Sequence, residues 1–295
     1  MFTLNLSTLV ASMDFPEYKL PYWMGNKFRG GFGSVLLRAI CGYLTPRCND
    51  CRSEDECLYY ALYVRNKQKR GRSQPVRPII FIPPFLGRSV DGGGELEVRI
   101  NVFGDYNRYL PHIVYGLRYL GKTGLNRNSK YELKEIRDFF TGEVVYDGES
   151  INVESLKTID LGKISGKSKK VKKLRGIKIE FVTPVEVEKV PLPLNHILQM
   201  VRRRLILYVN EYGGGEVFDY RCEDSILSSE WSKHRLYHRS KREGERFFIA
   251  YTGKAEYEAE MDDNADKLLR IGELIGAGSK SSFGMGFFKV GIDIK

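Results

Sequence analysis

The sequence predicts an α+β protein in which one element order, β–α–β–β–α–β, occurs twice. Three observations carry this expectation. Each half opens on a strand-like run followed by a helix-period stretch, each then shows two further strand-like segments, and each ends its second helix at a glycine-bearing turn. The expected architecture is therefore two tandem ferredoxin-like (β-α-β-β-α-β) domains, the second carrying a C-terminal glycine-rich loop.

In the first half, residues 2–11 read as a strand. Val35, Leu36, Ile40 and Tyr43 recur at helical spacing within residues 23–44. Residues 77–82 and 95–102 follow as strands, and the second alternates polar and apolar, as a half-buried strand does. Residues 111–120 form the second helix, Gly121-Lys122-Thr123-Gly124 ends it, and residues 130–139 return as a strand. In the second half, residues 177–187 are a strand. Residues 192–212 form a helix that tolerates Pro191 and Pro193 at its start and stops at Gly213-Gly214-Gly215. Strands over 226–242 and 246–260 lead to a helix capped within Asp262-Asp263-Asn264 and running to Leu274. The glycine loop and a strand over 287–294 close the chain. The expected domains are residues 1–150, with a Cys-rich insertion at 41–57, and residues 177–295. A basic linker or hairpin lies between them at 151–176.

The 295 residues, 42% hydrophobic and 12% aromatic, suffice for a sizeable core. A net charge of +10 favours a polyanionic partner such as nucleic acid. Residues 161–175 sharpen that bias with Lys163, Lys167, Lys169, Lys170, Lys172, Lys173 and Arg175 and no acid. They read as a solvated tip or as an arm on a phosphate backbone. No window approaches about 18 uninterrupted apolar residues, and residues 1–6 read as a strand rather than a signal peptide. A cytoplasmic protein with no membrane partner is expected.

Gly276, Gly278, Gly284 and Gly286 fall within eleven residues that also hold Ser279, Lys280, Ser281 and Ser282. Glycine at this density permits φ > 0 and lets main-chain N–H groups approach an anion. A nucleotide P-loop requires glycine immediately before its lysine, where this chain has Ser279, and no later nucleotide-site elements follow. Contact with an RNA backbone through N–H groups and Lys280 remains, beside a tight helix-to-strand turn without a ligand.

Cys41, Cys48, Cys51 and Cys57, with one C-x2-C spacing, are candidate ligands of a structural zinc. Disulfides and free thiols are the alternatives, and Cys222 is a structural cysteine. The acid–base candidates are His234, His238 and His196. His234 and His238 share one face of an extended basic segment, while Trp231, Lys233, Arg235, Tyr237, Arg239 and Lys241 share the other. Cationic and aromatic side chains in alternation suit base stacking and phosphate contact. His196 lies in the first turn of its helix, and His112 starts another. Arg202, Arg203 and Arg204 span too much helix circumference for all to face a core, so at least one is free for phosphate or an acidic partner.

These motifs, in this order, resemble the RAMP superfamily of CRISPR-associated proteins, and more closely its endoribonucleases that cut the CRISPR precursor transcript within repeats. The resemblance rests on Phe28-Arg29-Gly30-Gly31-Phe32-Gly33, the cysteine segment, Val102-Phe103-Gly104, Leu120-Gly121-Lys122-Thr123-Gly124 and Phe181-Val182-Thr183-Pro184. Arg202 to Arg204, His238-Arg239-Ser240-Lys241-Arg242 and the terminal loop complete it. It implies cleavage without a catalytic cofactor, by 2′-OH attack leaving a 2′,3′-cyclic phosphate, with CRISPR repeat RNA as partner. The implied RNA-binding set is Arg203, Arg239, Lys241, Arg242, Gly276, Gly278, Lys280, Gly284 and Gly286. Family members often carry a catalytic histidine near the first helix. This chain departs from that pattern, since residues 25–43 hold none; Tyr18, Tyr22 and Lys27 lie nearby instead. The departure favours an alternative, a non-catalytic RNA-binding subunit working with partners in a CRISPR effector complex. A zinc-stabilised adaptor for protein partners is the third reading.

Overall fold

A computed structural model describes residues 1–41, 48, 51, 56–66, 75–165, 172–240 and 244–292. The chain divides into two units, residues 5–159 and residues 1–4 with 160–295. Strand β1 (Phe2–Thr3) is part of the second. The first unit runs β2 (Asn5–Leu20), α1 (Gly25–Ile40), β3 (Ile79–Ile82), β4 (Val90–Phe103), α2 (Leu110–Thr123), β5 (Glu132–Asp138) and β6 (Val144–Tyr146), and its boundary falls within β7 (Thr158–Asp160). Its sheet has the order β3-β4-β2-β5-β6, with β7 paired to β2. The pairings β2–β4, β2–β5, β3–β4 and β5–β6 are all antiparallel.

Leu6, Leu9, Ala11, Met13 and Phe15 of β2 are buried, with Val98, Ile100 and Val102 of β4. The helices bury Phe28, Phe32, Val35 and Leu36 of α1 and Ile113, Val114, Leu117 and Leu120 of α2. Glycine sets how closely the two helices approach. A Cβ on Gly116 would lie 2.3 Å from the Phe32 ring, and one on Gly31 2.6 Å from Leu120. β2 runs nine residues past the expected end at Ala11, to Leu20. Its pairing with β4 continues to Leu20↔Val90 through a register shift between Phe15 and Tyr18. Pro16, which has no N–H for the ladder, sits inside that irregularity.

Part of the expected linker is folded. Residues 151–165 hold a 3-10 turn at Val153–Ser155, then β7, then a second turn at Leu161–Lys163. The lysines at 167, 169 and 170 lie outside the described residues.

The second unit runs β8 (Lys172–Val185), α3 (Leu194–Tyr212), β9 (Gly214–Gly215), β10 (Cys222–Ser240), β11 (Gly244–Met261), α4 (Asp263–Ile275) and β12 (Phe288–Ile292). Its main sheet is antiparallel with the order β10-β11-β8-β12, and β1 pairs with β9. In both main sheets the first strand of the β–α–β–β–α–β series lies between the third and the fourth. Ile177, Ile179, Phe181 and Tyr257 are buried with Leu198, Val201, Leu205 and Tyr208 of α3 and Leu268, Leu269 and Ile271 of α4.

Asp224 serves the start of α3, where Pro193 offers no side-chain cap. Its carboxylate accepts from the N–H groups of Leu194 and Asn195, both at 2.9 Å. Asp262 caps α4, accepting from the Ala265 N–H at 2.8 Å. No helix of the described residues is long and apolar enough to cross a membrane.

Candidate nucleic-acid interface

The buried stripe of α3 runs through Leu194, Ile197, Leu198, Val201, Leu205 and Tyr208, and Arg204 lies on it, only 2% exposed. Its guanidinium donates to five carbonyls, one on the last residue of α4 and four on the segment between α4 and β12. Nε bonds Gly278 O at 2.9 Å and Nη1 bonds Ile275 O at 2.8 Å. Nη2 reaches Ala277 O at 2.7 Å and the Ser279 and Met285 carbonyls at 3.1 Å. Burial pulls this guanidinium down to about 10, so it remains a cation at neutral pH. Inward-turned carbonyls, including one at the negative end of α4, compensate that charge.

The loop folds over the guanidinium through left-handed backbone at Gly276, Gly278, Gly284 and Gly286, and at Lys280 with φ 61°. A Cβ on Gly276 would sit 2.5 Å from Arg204 Nη1, and one on Gly286 2.0 Å from the Ala277 carbonyl oxygen. Lys280 is the one non-glycine residue at positive φ among the described residues, and such strain concentrates at functional loops. With the Ala277, Gly278 and Ser279 carbonyls turned to Arg204, the N–H groups on the same trans peptides, those of Gly278, Ser279 and Lys280, point the other way. Among the described residues, the N–H groups of Gly278, Ser279, Lys280, Ser281 and Ser282 make no hydrogen bond. Successive N–H groups of this kind, with a lysine in their midst, are the donor arrangement from which anion-binding concavities are built.

A histidine stands on either side of this segment. A cleft of about 570 Å³ is lined by Gly278 and Ser279 together with His196, Arg203, Met200 and Glu186. The Ser279 hydroxyl donates to Glu186 Oε2 at 2.7 Å, while His196 and Arg203 are exposed. On the other side His238 packs edge-on against Phe283 at 4.9 Å and stacks on Phe248 at 6.1 Å. Lys280 Nζ lies 4.6 Å above that same Phe248 ring. His234, two residues before the buried Leu236, shares a 2.7 Å hydrogen bond between Nε2 and Thr252 Oγ1, and desolvation holds its ring below the usual histidine range.

Arg235 lies 3.9 Å over the Phe247 ring and 5.4 Å from Tyr237, and both aromatics are more than half exposed. Arg239 belongs to β10, but its side chain, with Lys241 and Arg242, lies outside the described residues. Of the α3 arginines, Arg202 is committed to Asp219 at 2.7 Å and to Phe218 O at 2.9 Å. Arg203 faces the cleft. Sequence reasoning selects Arg203 and passes over Arg204, whose place on the apolar stripe three residues after Val201 is the signal that identifies it. Phe248, Phe283 and Thr252 are also absent from the sequence-derived set; they lie far from the histidines in the chain and reach them through the β10–β11 hairpin and the loop. Cys41, Cys48, Cys51 and Cys57 form no disulfide. Among the described residues no three His, Cys, Asp or Glu side chains converge as a metal centre requires. Cys222 is buried and its thiol is pushed up to about 12, first by burial and then by nearby carboxylates.

Comparison with known proteins gives two kinds of likeness. The family models for the AF_1859 N-terminal and C-terminal domains match residues 6–158 and 177–290. An uncharacterized protein of Archaeoglobus fulgidus is 60% identical over 290 residues, covering 98% of this chain and 99% of the relative. Among solved structures, a Cas6 product complex is similar with a TM-score of 0.53 at 16% identity, covering 97% of this chain and 99% of that one. Thermus thermophilus Cas6 gives a TM-score of 0.52 at 15% identity, covering 97% of this chain and 98% of that one. A partial Cas6-RT-Cas1–Cas2 complex gives 0.54 at 11% identity, with 99% of this chain matching 47% of a longer one. At these identities the likeness is one of fold: the chain has the mixed α/β fold of Cas6 proteins.

Proposed function

The chain belongs to the AF_1859 family, and we propose that it is an endoribonuclease that processes CRISPR precursor transcript within its repeats. We read both units as ferredoxin-like domains. The observation that carries the proposal is the Arg204-braced loop, whose five successive N–H groups at 278–282 make no hydrogen bond, with a histidine on each side. In-line cleavage of RNA needs that combination. The ribose 2′-oxygen forms a bond to phosphorus and the bond from phosphorus to the 5′-oxygen breaks. One group takes the 2′-OH proton, another protonates the departing 5′-oxygen, and donors hold the phosphorane charge.

In this reading the loop N–H groups and Lys280 hold the phosphate, with Arg203 beside them. His196 and His238 handle the two protons, one from each side. His234 is held by Thr252 and positions β10. The exposed Arg235, Tyr237 and Phe247 stack and neutralise the flanking strand, together with Arg239, Lys241 and Arg242. No metal takes part, and the products are a 2′,3′-cyclic phosphate and a 5′-hydroxyl.

Single-turnover cleavage of a repeat RNA from the source genome, in EDTA, tests this. His196→Ala and His238→Ala are each expected to slow cutting by about 10²- to 10⁴-fold while RNA binding is retained. Lys280→Ala is expected to weaken binding and lower the salt slope by about one. Cutting at the wild-type rate by both histidine variants removes the assigned roles. A second reading, a non-catalytic RNA-binding subunit of an effector complex, is favoured by the histidine-free helix α1. It predicts tight, salt-dependent RNA binding with no cutting by the wild-type chain.

A further inference from the structure

Helix α2 carries a second surface that none of the roles above uses. It buries Ile113, Val114, Leu117 and Leu120 and presents His112, Tyr115, Tyr119 and Lys122 at successive helical spacings, with Arg118 beside them. Tyr115 is 49% and Tyr119 39% exposed, and their rings stack with centroids 6.0 Å apart and planes 23° from parallel. The stripe continues past the helix start, where Tyr109 meets His112 edge-on at 5.5 Å and Arg108 lies 5.0 Å over the Tyr109 ring. A groove of about 290 Å³ runs alongside, with Arg118, Lys122, Tyr146 and Glu149 in its walls.

Cations predominate on this face, with Arg108 at its start paired to Asp105 at 3.2 Å. Residues 110–123 contain no Asp or Glu, and Glu149 is the one carboxylate lining the groove. A merely solvated helix face would mix charges of both signs, whereas residues 110–123 carry cations alone. Stacked phenols between cations instead match unpaired bases over a phosphate chain. From residue 108 to residue 122 the stripe is about 21 Å long at 1.5 Å per residue, enough for a few nucleotides.

We propose that this stripe of α2 binds single-stranded RNA by stacking bases on Tyr115 and Tyr119, with Arg118 and Lys122 on the backbone. The choice of RNA rests on the RNA-processing reading above; the site lies on the other unit from the glycine loop.

The test uses the full chain and a fluorescein-labelled decamer of oligouridylate, which carries no repeat sequence. Tyr115→Ala/Tyr119→Ala is expected to weaken its binding by about 10- to 100-fold. Tyr115→Phe/Tyr119→Phe, which keeps both rings, is expected to bind as wild type does. Oligouridylate carrying 4-thiouridine is expected to crosslink within residues 110–123. Unchanged affinity of the alanine pair, or crosslinks confined to the other unit, overturns the proposal, as does a purified protein partner lost with the tyrosines while RNA binding persists. Repeat cleavage by the same variants is read separately. A chain that cuts no RNA yet loses oligouridylate with the tyrosines keeps this inference and loses the nuclease reading.

Discussion

Replacing Arg204 tests how the glycine loop is built. Arg204→Met keeps the apolar length of the side chain but removes the charge and five hydrogen bonds of 2.7–3.1 Å. The carbonyls of Gly278 and Ser279 lie on partly open residues where water replaces the lost donor, whereas Ile275, Ala277 and Met285 are fully buried. Three buried carbonyls left without a partner, each costing about 1–3 kcal/mol, are offset in part by release from burying a cation, so a net loss of about 3–5 kcal/mol is expected. Arg204→Lys keeps the charge but offers three donors to five acceptors, and a loss of about 2–3 kcal/mol follows from the bonds that go unmade. Urea denaturation with linear extrapolation reads both values, and hydrogen exchange at residues 276–286 locates the change. A methionine variant within about 0.5 kcal/mol of wild type would refute the claim that Arg204 holds the loop.

Two further outcomes follow. Gly286→Ala brings a Cβ to 2.0 Å from the Ala277 carbonyl at φ 81°, whereas at Gly142 φ is 74° with nothing within 4 Å. Calorimetry is expected to show a loss of about 1 kcal/mol for Gly142→Ala and of at least about 3 kcal/mol for Gly286→Ala, because only the second must also displace backbone. The His234 ring titrates below its unfolded value because burial penalises its charged form. The unfolded chain therefore binds the proton first, and stability contributed above pH ~6.5 is lost as pH falls through the folded pKa. His234→Gln should flatten that part of a stability–pH curve measured by urea denaturation, and an unchanged slope would show the ring does not titrate differently on folding.

Much of the element order could be read from local signals. The caps at Asp262 and the prolines before α3, the glycine stops after α2 and α3, and the alternation in β4 all act over a few residues, and periodicity exposes them. Length was harder to read. The polar run of Asp14, Glu17 and Lys19 around Pro16 breaks the strand pattern, yet pairing with β4 carries β2 past it. What sequence reasoning misses in the candidate site is long-range. It weighs residues by type, so an exposed Arg203 and a buried Arg204 look equivalent until the apolar stripe of α3 is drawn through the second. The carbonyls that Arg204 binds are 71–81 residues further along the chain, and no local pattern announces them. The same holds for His238, whose Phe283 neighbour comes from the loop rather than from its own hairpin.

The grip of one α3 side chain on the loop carbonyls also bears on what the glycine segment is as a unit of design. It is not a self-contained motif that could be cut out and set into another scaffold. Its glycines keep room for a guanidinium that arrives from elsewhere, and the amides of Gly278, Ser279 and Lys280 are turned away because that guanidinium holds the carbonyl of each of those peptides. A chain with the same eleven residues but a leucine on the facing helix would carry the signature and lack the shape. Recognition of such loops in other sequences therefore needs two readings at once, the glycine spacing and an arginine misplaced on an apolar helix stripe.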